Sequence, residues 1–463
     1  MELLKVTNPM TNELLDELEL ASPEAVQEMV DRAVAAQEMW AETPVHERAA
    51  YLYRMADAMD ADKEAIAQLM AKDMGKPILQ ARGEAEDGAK LLRAAAERAK
   101  HLYGEVLSDS GPGFEDDLVF TKREPLGTIA CIIPFNYPTE LTFQKIAPAL
   151  VMGNTVLVKA PSSNPLVVLS FEKYAKEAGF PDGVAQFFVS GREAVNEKIL
   201  ANPKVDAVSL TGSTAAGKQM VKAGADTLKR MFLELGGNDA MVIFDDADLD
   251  SVLDEMFAGR IENNGQICCA SKRYIVQKGI YDAVCEKLAA RVDALKRGSA
   301  LEEDAEITCL VSEQAAVKVE QQIQLTVEQG ARLVTGGTRT GARIEPAVLA
   351  DVTPEMDVAS DMEIFGPVFP LIPFETEEEA IAIANSSVYG LSSGVITRDM
   401  KRAFRVASRL KAGGAVVNGT GMYRHLDQPF GGYKQSGLGR EGIGISLEEF
   451  SHIKVYVMKG AFN

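Results

Sequence analysis

Residues 210–218 read LTGSTAAGK, a strand–turn–helix segment of the kind that occurs in α/β folds. It passes from the end of an apolar strand through a glycine turn into the start of a helix, where exposed N–H groups favour a phosphate. Residues 212–219 depart from a Walker A loop only at Gln219, which lacks the hydroxyl that would hold magnesium. They do not match Gly-x-Gly-x-x-Gly either. By itself the stretch predicts a phosphate-bearing ligand.

On both sides of this turn, short apolar runs alternate with helical segments. This alternation is typical of βαβ units, which build a parallel sheet with helices on both faces. It starts afresh after Asp248, so the sequence predicts two α/β domains joined near residues 235–248. The predicted strands are residues 128–133, 155–159, 185–189, 206–210 and 240–244 before that point, and 273–277, 332–334, 368–373 and 415–418 after it.

The two ends of the chain follow a different pattern. The first hundred residues are predicted to be helical, because residues 22–24 (SPE) supply a hydroxyl cap, a first-turn proline and an early acid. A second helix is predicted over residues 43–75 and a third over residues 79–103. Residues 116–124 and 453–458 read as isolated strands. Lone strands of this kind often extend a sheet into a neighbouring subunit.

Composition excludes several classes of protein. The chain has 463 residues, and 48 basic against 68 acidic side chains leave a net charge of −20. This charge argues against nucleic acid as the main partner, although a small anionic ligand needs only a local positive site. A hydrophobic content of 46% excludes wholesale disorder.

Cysteine and histidine usage points to the compartment and to the absence of metal chemistry. The five cysteines include an adjacent pair and show no disulfide framework. The first sixteen residues carry no secretory signal, and no apolar stretch approaches the length of about 18 residues that spans a membrane. With four histidines and no Cys-x-x-Cys or His-Glu-x-x-His, no metal site is expected. We expect a reduced, cytoplasmic protein without membrane contact.

Residues 265–270 (GQICCA) follow a predicted helix over residues 249–264 and contain two cysteines. A thiolate is the strongest nucleophile among the side chains, and a cleft can lower the pKa of its thiol. The alternative is a pair of small buried apolar side chains. The segment alone leaves both interpretations open.

Two further segments place polar groups in apolar surroundings. Residues 233–238 (LELGGN) contain Glu234, whose carboxylate would have a raised pKa suited to a general base, followed by glycines that allow close backbone approach. Residues 134–138 (PFNYP) put Asn136 after a strand, where ligands of open parallel sheets bind. Its amide could face an oxygen that becomes negative. The alternatives are an acid that caps a turn and an ordinary turn asparagine.

Together these segments resemble the aldehyde dehydrogenase superfamily over essentially the whole chain. Seven motifs occur in the order typical of that family, which makes a chance match negligible. They are PFNYP (134–138), KAPS (159–162), TGSTAAG (211–217), ELGG (234–237), GQIC (265–268), EIFGP (363–367) and PFGGYKQSG (429–437).

The resemblance implies an α/β fold of two doubly wound parallel-sheet domains plus a small β oligomerisation element. The Rossmann-like dinucleotide-binding domain would comprise residues 1–106 and 126–236, and the catalytic domain residues 237–442. Residues 107–125 and 443–463 would form the oligomerisation element. A homodimer or homotetramer is expected.

The resemblance also implies a mechanism. Cys268 would attack an aldehyde, while Asn136 and the Cys268 N–H stabilise the oxyanion of the thiohemiacetal. Hydride transfer would leave a thioester, and Glu234 would activate the water that hydrolyses it. Glu441 matches an acid that relays protons or supports Glu234. Because acyl-CoA-forming relatives typically lack the acid at position 234, that activity is a weaker alternative, as is a non-enzymatic binding protein.

For the cofactor, the resemblance implies NAD or NADP. Lys159 and Glu363 would bind ribose hydroxyls, Ser213 the pyrophosphate, and Phe365 would pack near the nicotinamide ribose. Ser162 occupies the place of an acid that many NAD-preferring members use for the adenosine 2′-hydroxyl. Since serine does not repel a 2′-phosphate, NADP or dual use is slightly favoured. The remaining predicted cofactor residues are Ile133, Pro134, Gly212 and Gly217.

The positions that line the substrate tunnel of the family carry polar side chains here, which predicts a small polar aldehyde. A hydroxyaldehyde such as lactaldehyde or glyceraldehyde fits them. A semialdehyde or phospho-aldehyde would use Arg424, with His425 nearby, and ranks nearly level. The negative charge of Glu262 would repel a strongly anionic substrate unless Glu262 pairs with Arg424. The predicted tunnel residues are Tyr137, Leu141, Gln144, Glu262, Ile267, Cys269, Tyr423 and Arg424.

Overall fold

Two open, mostly parallel sheets flanked by helices dominate the computed structural model, which describes residues 3–108 and 111–462. The predicted α/β fold is therefore confirmed. Residues 1, 2, 109, 110 and 463 belong to the predicted domain ranges and lie outside the described residues.

The chain begins with a hairpin and four long helices. The helix predicted at residues 22–24 is confirmed, because the Ser22 side chain accepts a hydrogen bond from the Ala25 N–H. The elements are β1 (Leu3–Thr7), β2 (Leu14–Glu19), α1 (Pro23–Glu42), α2 (Val45–Ala61), α3 (Lys63–Met74), α4 (Ile78–Ala99), β3 (Val106–Leu107) and β4 (Leu118–Pro125).

Two predictions for this region are wrong. Residues 3–19 form an antiparallel hairpin rather than a helix, with Asn12 in the left-handed region (φ +59°) at the turn. The single helix predicted over residues 43–75 breaks at Asp62, whose carboxylate contacts Lys173 Nζ at 2.5 Å and the Tyr174 hydroxyl at 3.3 Å. Both departures depend on pairing and contacts that local helix propensity does not describe.

The first α/β unit follows the predicted alternation. Its strands include one over residues 230–234, which the sequence analysis did not predict. The elements are β5 (Thr128–Ile132), α5 (Pro138–Val151), β6 (Thr155–Lys159), α6 (Leu166–Glu177), β7 (Ala185–Phe188), α7 (Arg192–Val195), β8 (Ala207–Thr211), α8 (Thr214–Gly224) and β9 (Arg230–Glu234).

The second unit also carries strands that were not predicted, over residues 347–350 and 393–396. Its elements are β10 (Asp239–Ile243), α9 (Leu249–Ile261), β11 (Ser271–Gln277), α10 (Lys278–Asp293), α11 (Glu313–Glu328), β12 (Arg332–Thr335), β13 (Arg339–Thr340), β14 (Arg343–Ile344), β15 (Ala347–Ala350), β16 (Val368–Phe374), α12 (Glu377–Asn385), β17 (Ser393–Ile396), α13 (Met400–Ala407) and β18 (Val416–Val417). The chain ends with β19 (Gly437–Leu438), α14 (Ile443–Glu449) and β20 (Ser451–Met458).

The strand orders bring distant segments together. The first sheet has the order β19-β9-β8-β5-β6-β7, and the second has the order β12-β15-β16-β11-β10-β17-β18. Strand β19 runs antiparallel to β9, with Gly437 opposite Glu234. A segment from near the end of the chain therefore forms the edge strand of the first sheet, next to Glu234.

A third sheet joins the two segments that read as isolated strands. β20 pairs antiparallel with β4 along its length, and β3 pairs with β4 on the other side. The side chains of Ile453, Val455 and Val457 on β20 are 62%, 55% and 56% exposed. This sheet therefore presents apolar side chains at the surface. Among the described residues, no helix combines the length and apolar character needed to cross a bilayer.

Candidate active site

The loop that carries the two cysteines is held in an unusual backbone conformation. Helix α9 ends at Ile261, and in the 3-10 turn that follows, Asn263 and Asn264 both adopt positive φ (+48° and +55°). Gly265 also has a positive φ of +76°, and a Cβ there would lie 2.4 Å from the carbonyl of Gly366. Only glycine fits that approach. The loop leaves Cys268 partly exposed and buries Cys269.

The two adjacent thiols influence each other's titration. Contact with Cys269 and burial raise the pKa of Cys268 well above its usual range, whereas contact with Cys268 lowers the pKa of Cys269. Arg424 and Lys272 both favour a negative charge on the pair. These two positive charges therefore favour the thiolate, which is the nucleophilic form of cysteine.

Asn136 lies directly against this loop. It follows β5 and is 4% exposed, and its side-chain Nδ2 donates to the Gln266 carbonyl at 3.1 Å. Its backbone carbonyl accepts from Asn263 Nδ2 and from Lys76 Nζ, each at 2.9 Å. These bonds place the amide beside the cysteine, as an oxyanion donor requires.

Lys76 was not predicted to contribute to the site. Its buried ammonium forms an ion pair with Glu84, and neither side chain is more than 2% exposed. The other Glu84 oxygen accepts from the N–H groups of Thr139 and Glu140 at 2.7 and 3.2 Å, which caps the start of α5. The Lys76–Glu84 ion pair therefore holds both the Asn136 backbone and the start of helix α5.

Glu234 is 4% exposed, and its Oε2 has no hydrogen-bond partner among the described residues. Burial and the nearby Glu441 carboxylate raise its pKa well above the usual range, while Lys145 opposes the shift. Lys145 is buried and forms an ion pair with Glu441. A Cβ at Gly431 would lie 2.7 Å from Glu234 Oε1, so glycine keeps that side open. An unpartnered buried carboxyl group of this kind suits a general base.

Lys145 was also missed by the sequence analysis. It lies one helical turn after Leu141 on α5, so the spacing of the predicted tunnel residues could have indicated it.

A cavity of about 280 Å³ leads to this carboxylate cluster. Its walls include Leu141, Gln144 and Arg424, which were predicted to contact substrate, together with Glu441. The Arg424 guanidinium lies 3.1 Å from the centroid of the Phe430 ring and 4.0 Å from Cys269 Sγ. Arg424 is exposed to the cavity and forms no ion pair with a carboxylate of the described residues.

The other predicted tunnel residues are arranged differently. The Tyr137 hydroxyl donates to Glu262 at 2.7 Å, so Glu262 is engaged by a phenol rather than by Arg424. Ile267 and Cys269 pack together in a small apolar cluster. Tyr423 is 61% exposed and lines a separate open cavity of about 650 Å³ beside β18.

The predicted cofactor residues lie along the carboxyl edge of the first sheet. Lys159 ends β6 opposite Ile132, and its carbonyl accepts from the Ile133 N–H at 3.1 Å, next to Pro134. Its side chain is half-buried, which lowers its pKa, and it forms no ion pair with the described residues. Ser162 is exposed nearby.

The glycine turn supplies the start of α8. The Gly212 N–H donates to the Glu234 carbonyl at 2.9 Å, and Ser213 caps the helix by accepting from the Ala216 N–H at 3.2 Å. A Cβ at Gly217 would lie 2.7 Å from the Leu235 side chain, so glycine allows the helix to approach the sheet. An open helix start at the same edge of the sheet as Lys159 suits a dinucleotide phosphate.

Glu363 and Phe365 approach from the second unit. Glu363 Oε1 accepts from the Gly237 N–H at 3.2 Å and lies 3.2 Å from Lys272 Nζ. The Phe365 ring packs edge-on against Phe135, with 5.8 Å between ring centroids. The predicted cofactor residues and the predicted nucleophile therefore meet where the two units face each other.

Comparisons with known proteins agree with this arrangement. The model of the aldehyde dehydrogenase family matches residues 1–456. A mitochondrial succinate-semialdehyde dehydrogenase of Arabidopsis thaliana is 36% identical over 463 residues, 99% of this chain and 87% of that protein. A glutarate-semialdehyde dehydrogenase of Pseudomonas putida is 37% identical over 452 residues, 97% and 93% of the two chains.

A solved structure of an NADP-dependent enzyme of E. coli superposes with a TM-score of 0.95 at 35% identity, covering 99% of this chain and 95% of the other. The chain therefore belongs to the aldehyde dehydrogenase family, whose members oxidise aldehydes to carboxylic acids with NAD(P) through a catalytic cysteine.

Proposed function

We propose that this aldehyde dehydrogenase oxidises a short semialdehyde whose far end carries a carboxylate. The observation that carries this proposal is Arg424, an exposed guanidinium without a carboxylate partner among the described residues, in a cavity that reaches Glu441. Because Glu262 is bonded to Tyr137, it does not engage Arg424, whose guanidinium faces the longer-range charge of Glu140 in the same cavity and forms no direct ion pair with a described residue. The names of the semialdehyde-oxidising relatives support the same substrate class. A hydroxyaldehyde is the second candidate, since Gln144 lines the same cavity.

In the proposed mechanism Cys268 attacks the aldehyde carbon as the thiolate, a form that the positive charges of Arg424 and Lys272 favour. The Asn136 amide and the Cys268 N–H then donate to the oxyanion of the thiohemiacetal. The bound nicotinamide dinucleotide supplies the hydride acceptor. Glu234 removes a proton from the water that attacks the resulting thioester, and Glu441 with Lys145 carries that proton away from the buried carboxylate.

We also propose NADP, or both dinucleotides, as the cofactor. Ser162 is exposed and uncharged, and Lys159 lies three residues earlier without an ion-pair partner among the described residues. A 2′-phosphate would meet a positive charge and no carboxylate at this position.

We further propose a homodimer or homotetramer, with residues 107–125 and 443–463 as the oligomerisation element. The exposed apolar side chains of β20 support this assignment. The dinucleotide-binding domain would comprise residues 1–106 and 126–236, and the catalytic domain residues 237–442. Light scattering of the wild type and of Val455→Glu tests the oligomer, because a charge on an interface strand would dissociate it.

A substrate panel tests the proposed activity. NADH and NADPH formation would be measured for carboxy-, hydroxy- and unsubstituted aldehydes of two to six carbons. We expect the highest kcat/KM for a four- or five-carbon semialdehyde. A preference for hydroxyaldehydes would favour the second candidate, and acid release only in the presence of coenzyme A would contradict the hydrolytic mechanism.

The variant Arg424→Gln tests whether Arg424 recognises the carboxylate of the substrate. We expect kcat/KM for succinate semialdehyde to fall by about 10- to 100-fold, because a hydrogen bond to a charged group contributes about 1.5–3 kcal/mol. Because Arg424 also favours the thiolate of the cysteine pair, kcat/KM for butanal, which has the same chain length without the carboxylate, should fall as well in this variant but by at least about tenfold less than that for succinate semialdehyde. An equal loss for both substrates would show that Arg424 does not recognise the carboxylate.

A further inference from the structure

Lys272 is a buried lysine to which neither the motifs nor the mechanism assigns a role. It lies in β11, four residues after Cys268, and its side chain is 1% exposed. Its Nζ donates to the Cys268 carbonyl at 2.5 Å and lies 3.2 Å from Glu363 Oε1. One ammonium therefore contacts the backbone of the predicted nucleophile and the side chain of Glu363, which is predicted to bind ribose hydroxyls of the dinucleotide.

The surroundings of Lys272 leave little freedom for these groups. Glu363 is also held by the Gly237 N–H at 3.2 Å, and a Cβ at Gly237 would lie 3.0 Å from the Cys268 carbonyl oxygen. The same Cβ would lie 2.9 Å from Asp239 Oδ1, so the Asp239 carboxyl group borders this cluster. Backbone packed this closely transmits a displacement of Glu363 to the peptide of Cys268.

Asp239 adds a second acid beside the ammonium. It is 3% exposed, and burial raises its pKa to about 8, while the positive charge of Lys272 opposes that rise. Glu363 is therefore the acid that forms the ion pair with Lys272, and Asp239 is a largely protonated neighbour near neutral pH. Removing the cation would leave the Glu363 carboxylate without its ion-pair partner.

We propose that Lys272 is a positioning residue that couples cofactor binding to the orientation of the catalytic cysteine. By holding Glu363 it orients the carboxylate for the ribose hydroxyls, and by donating to the Cys268 carbonyl it fixes the peptide that follows the nucleophile. A cofactor that engages Glu363 changes the contacts of Lys272 and thereby the reactivity of Cys268. The coupling is reciprocal, since alkylation of Cys268 changes cofactor affinity by the same linkage. The proposal depends on the proposed role of Glu363.

The test uses two measurements that need no aldehyde. One is the dissociation constant of NADP and NAD, measured by calorimetry on the full chain. The other is the rate at which iodoacetamide alkylates Cys268, followed by mass spectrometry with and without saturating cofactor. In the wild type we expect the cofactor to change the alkylation rate at least about fivefold.

The variant Lys272→Gln keeps a donor for the Cys268 carbonyl but removes the charge. We expect its cofactor dissociation constant to rise by about fivefold or more, its cofactor-free alkylation to slow because a charge that favours the thiolate is lost, and the change in alkylation rate on adding cofactor to shrink. In Lys272→Met both contacts are lost, and alkylation should become insensitive to cofactor. Lys229→Met is the matched control, because Lys229 is a buried lysine that donates to the carbonyls of Asn202 and Val205, outside the site.

A double-mutant cycle with Glu363→Gln separates this proposal from the assignment of Glu363. If Glu363→Gln leaves cofactor affinity unchanged, the role assigned to Glu363 is wrong. The proposed coupling between the cofactor and Cys268 is then wrong as well. If Glu363→Gln weakens binding but its effect multiplies independently with that of Lys272→Gln, the coupling alone is overturned. Cofactor-dependent alkylation that persists in a folded Lys272→Met protein, verified by its thermal transition, would also overturn it.

Discussion

Lys145 on helix α5 and Glu441 near the end of the chain form a buried ion pair beside the Glu234 carboxylate. Lys145 lowers the pKa of Glu234 and Glu441 raises it, so the two partners act on the proposed general base with opposite sign. The balance between them sets the pH range in which Glu234 can accept a proton.

Opposite shifts of the pH profile are expected when either partner is removed. Lys145→Met removes the positive charge that lowers the pKa of Glu234, so the acidic limb of the kcat profile should move to higher pH. Glu441→Gln removes the charge that raises this pKa and leaves Lys145 unpaired, so the limb should move to lower pH. Steady-state rates from pH 5 to 9 measure both shifts. Movement in the same direction for the two variants would contradict the assignment of Glu234 as the titrating base.

Loss of Glu234 itself should block only the second half of the reaction. In Glu234→Gln we expect a burst of NAD(P)H followed by turnover reduced by about 10²- to 10⁴-fold, because general base catalysis of hydrolysis is lost. Rapid-quench mass spectrometry should detect the acyl group on Cys268. Absence of both the burst and the adduct would place Glu234 before hydride transfer.

Substitutions of three cysteines test the nucleophile. Cys268→Ala should abolish NAD(P)H formation, whereas Cys285→Ala, a buried cysteine on α10, should keep wild-type turnover. Cys269→Ser should remain active and work at a lower pH, because both the contact with the Cys269 thiol and its negative charge raise the pKa of Cys268. Normal turnover in Cys268→Ala would refute the mechanism.

The Lys76–Glu84 pair links stability to the oxyanion donor. Lys76→Met leaves Glu84 as an unpaired buried carboxylate, so the free energy of unfolding should fall by about 3–5 kcal/mol. Urea unfolding measures this loss. Since the Asn136 carbonyl also loses a donor, kcat should fall more than KM rises. The double variant Lys76→Met with Glu84→Leu should recover part of the stability and none of the activity.

Cofactor preference can be tested at Ser162. Ser162→Asp places a negative charge where a 2′-phosphate is proposed, so kcat/KM for NADP should fall by at least about tenfold, or roughly 1.4 kcal/mol, while that for NAD is retained. Ser408→Asp adds the same charge at an exposed position in the second unit and serves as control. In the wild type, an NADP rate below about a tenth of the NAD rate would contradict the proposed preference.

Much of the fold could be predicted because its signals are local. The hydroxyl cap at Ser22, the glycine turn before α8 and the apolar runs of β5, β6 and β8 each depend on a few neighbouring residues. The hairpin of residues 3–19 could not be predicted in this way, because its strands are largely exposed and stabilised by pairing. At the break between α2 and α3, Asp62 contacts Lys173, 111 residues away, and local sequence does not indicate that contact.

For the candidate site as well, some features could be predicted from the sequence and others could not. By its motifs, the sequence alone indicated which side chains are proposed to carry the chemistry: Cys268, Glu234 and Asn136. Only the tertiary structure decided which charges surround them, since Lys145 and Glu441 are 296 residues apart and Lys76 is 60 residues from Asn136. Electrostatic energies depend on distance in space and on burial, and neither quantity is written in the spacing of residues along the chain. The charge states of the site, and with them its working pH, are therefore properties of the folded protein.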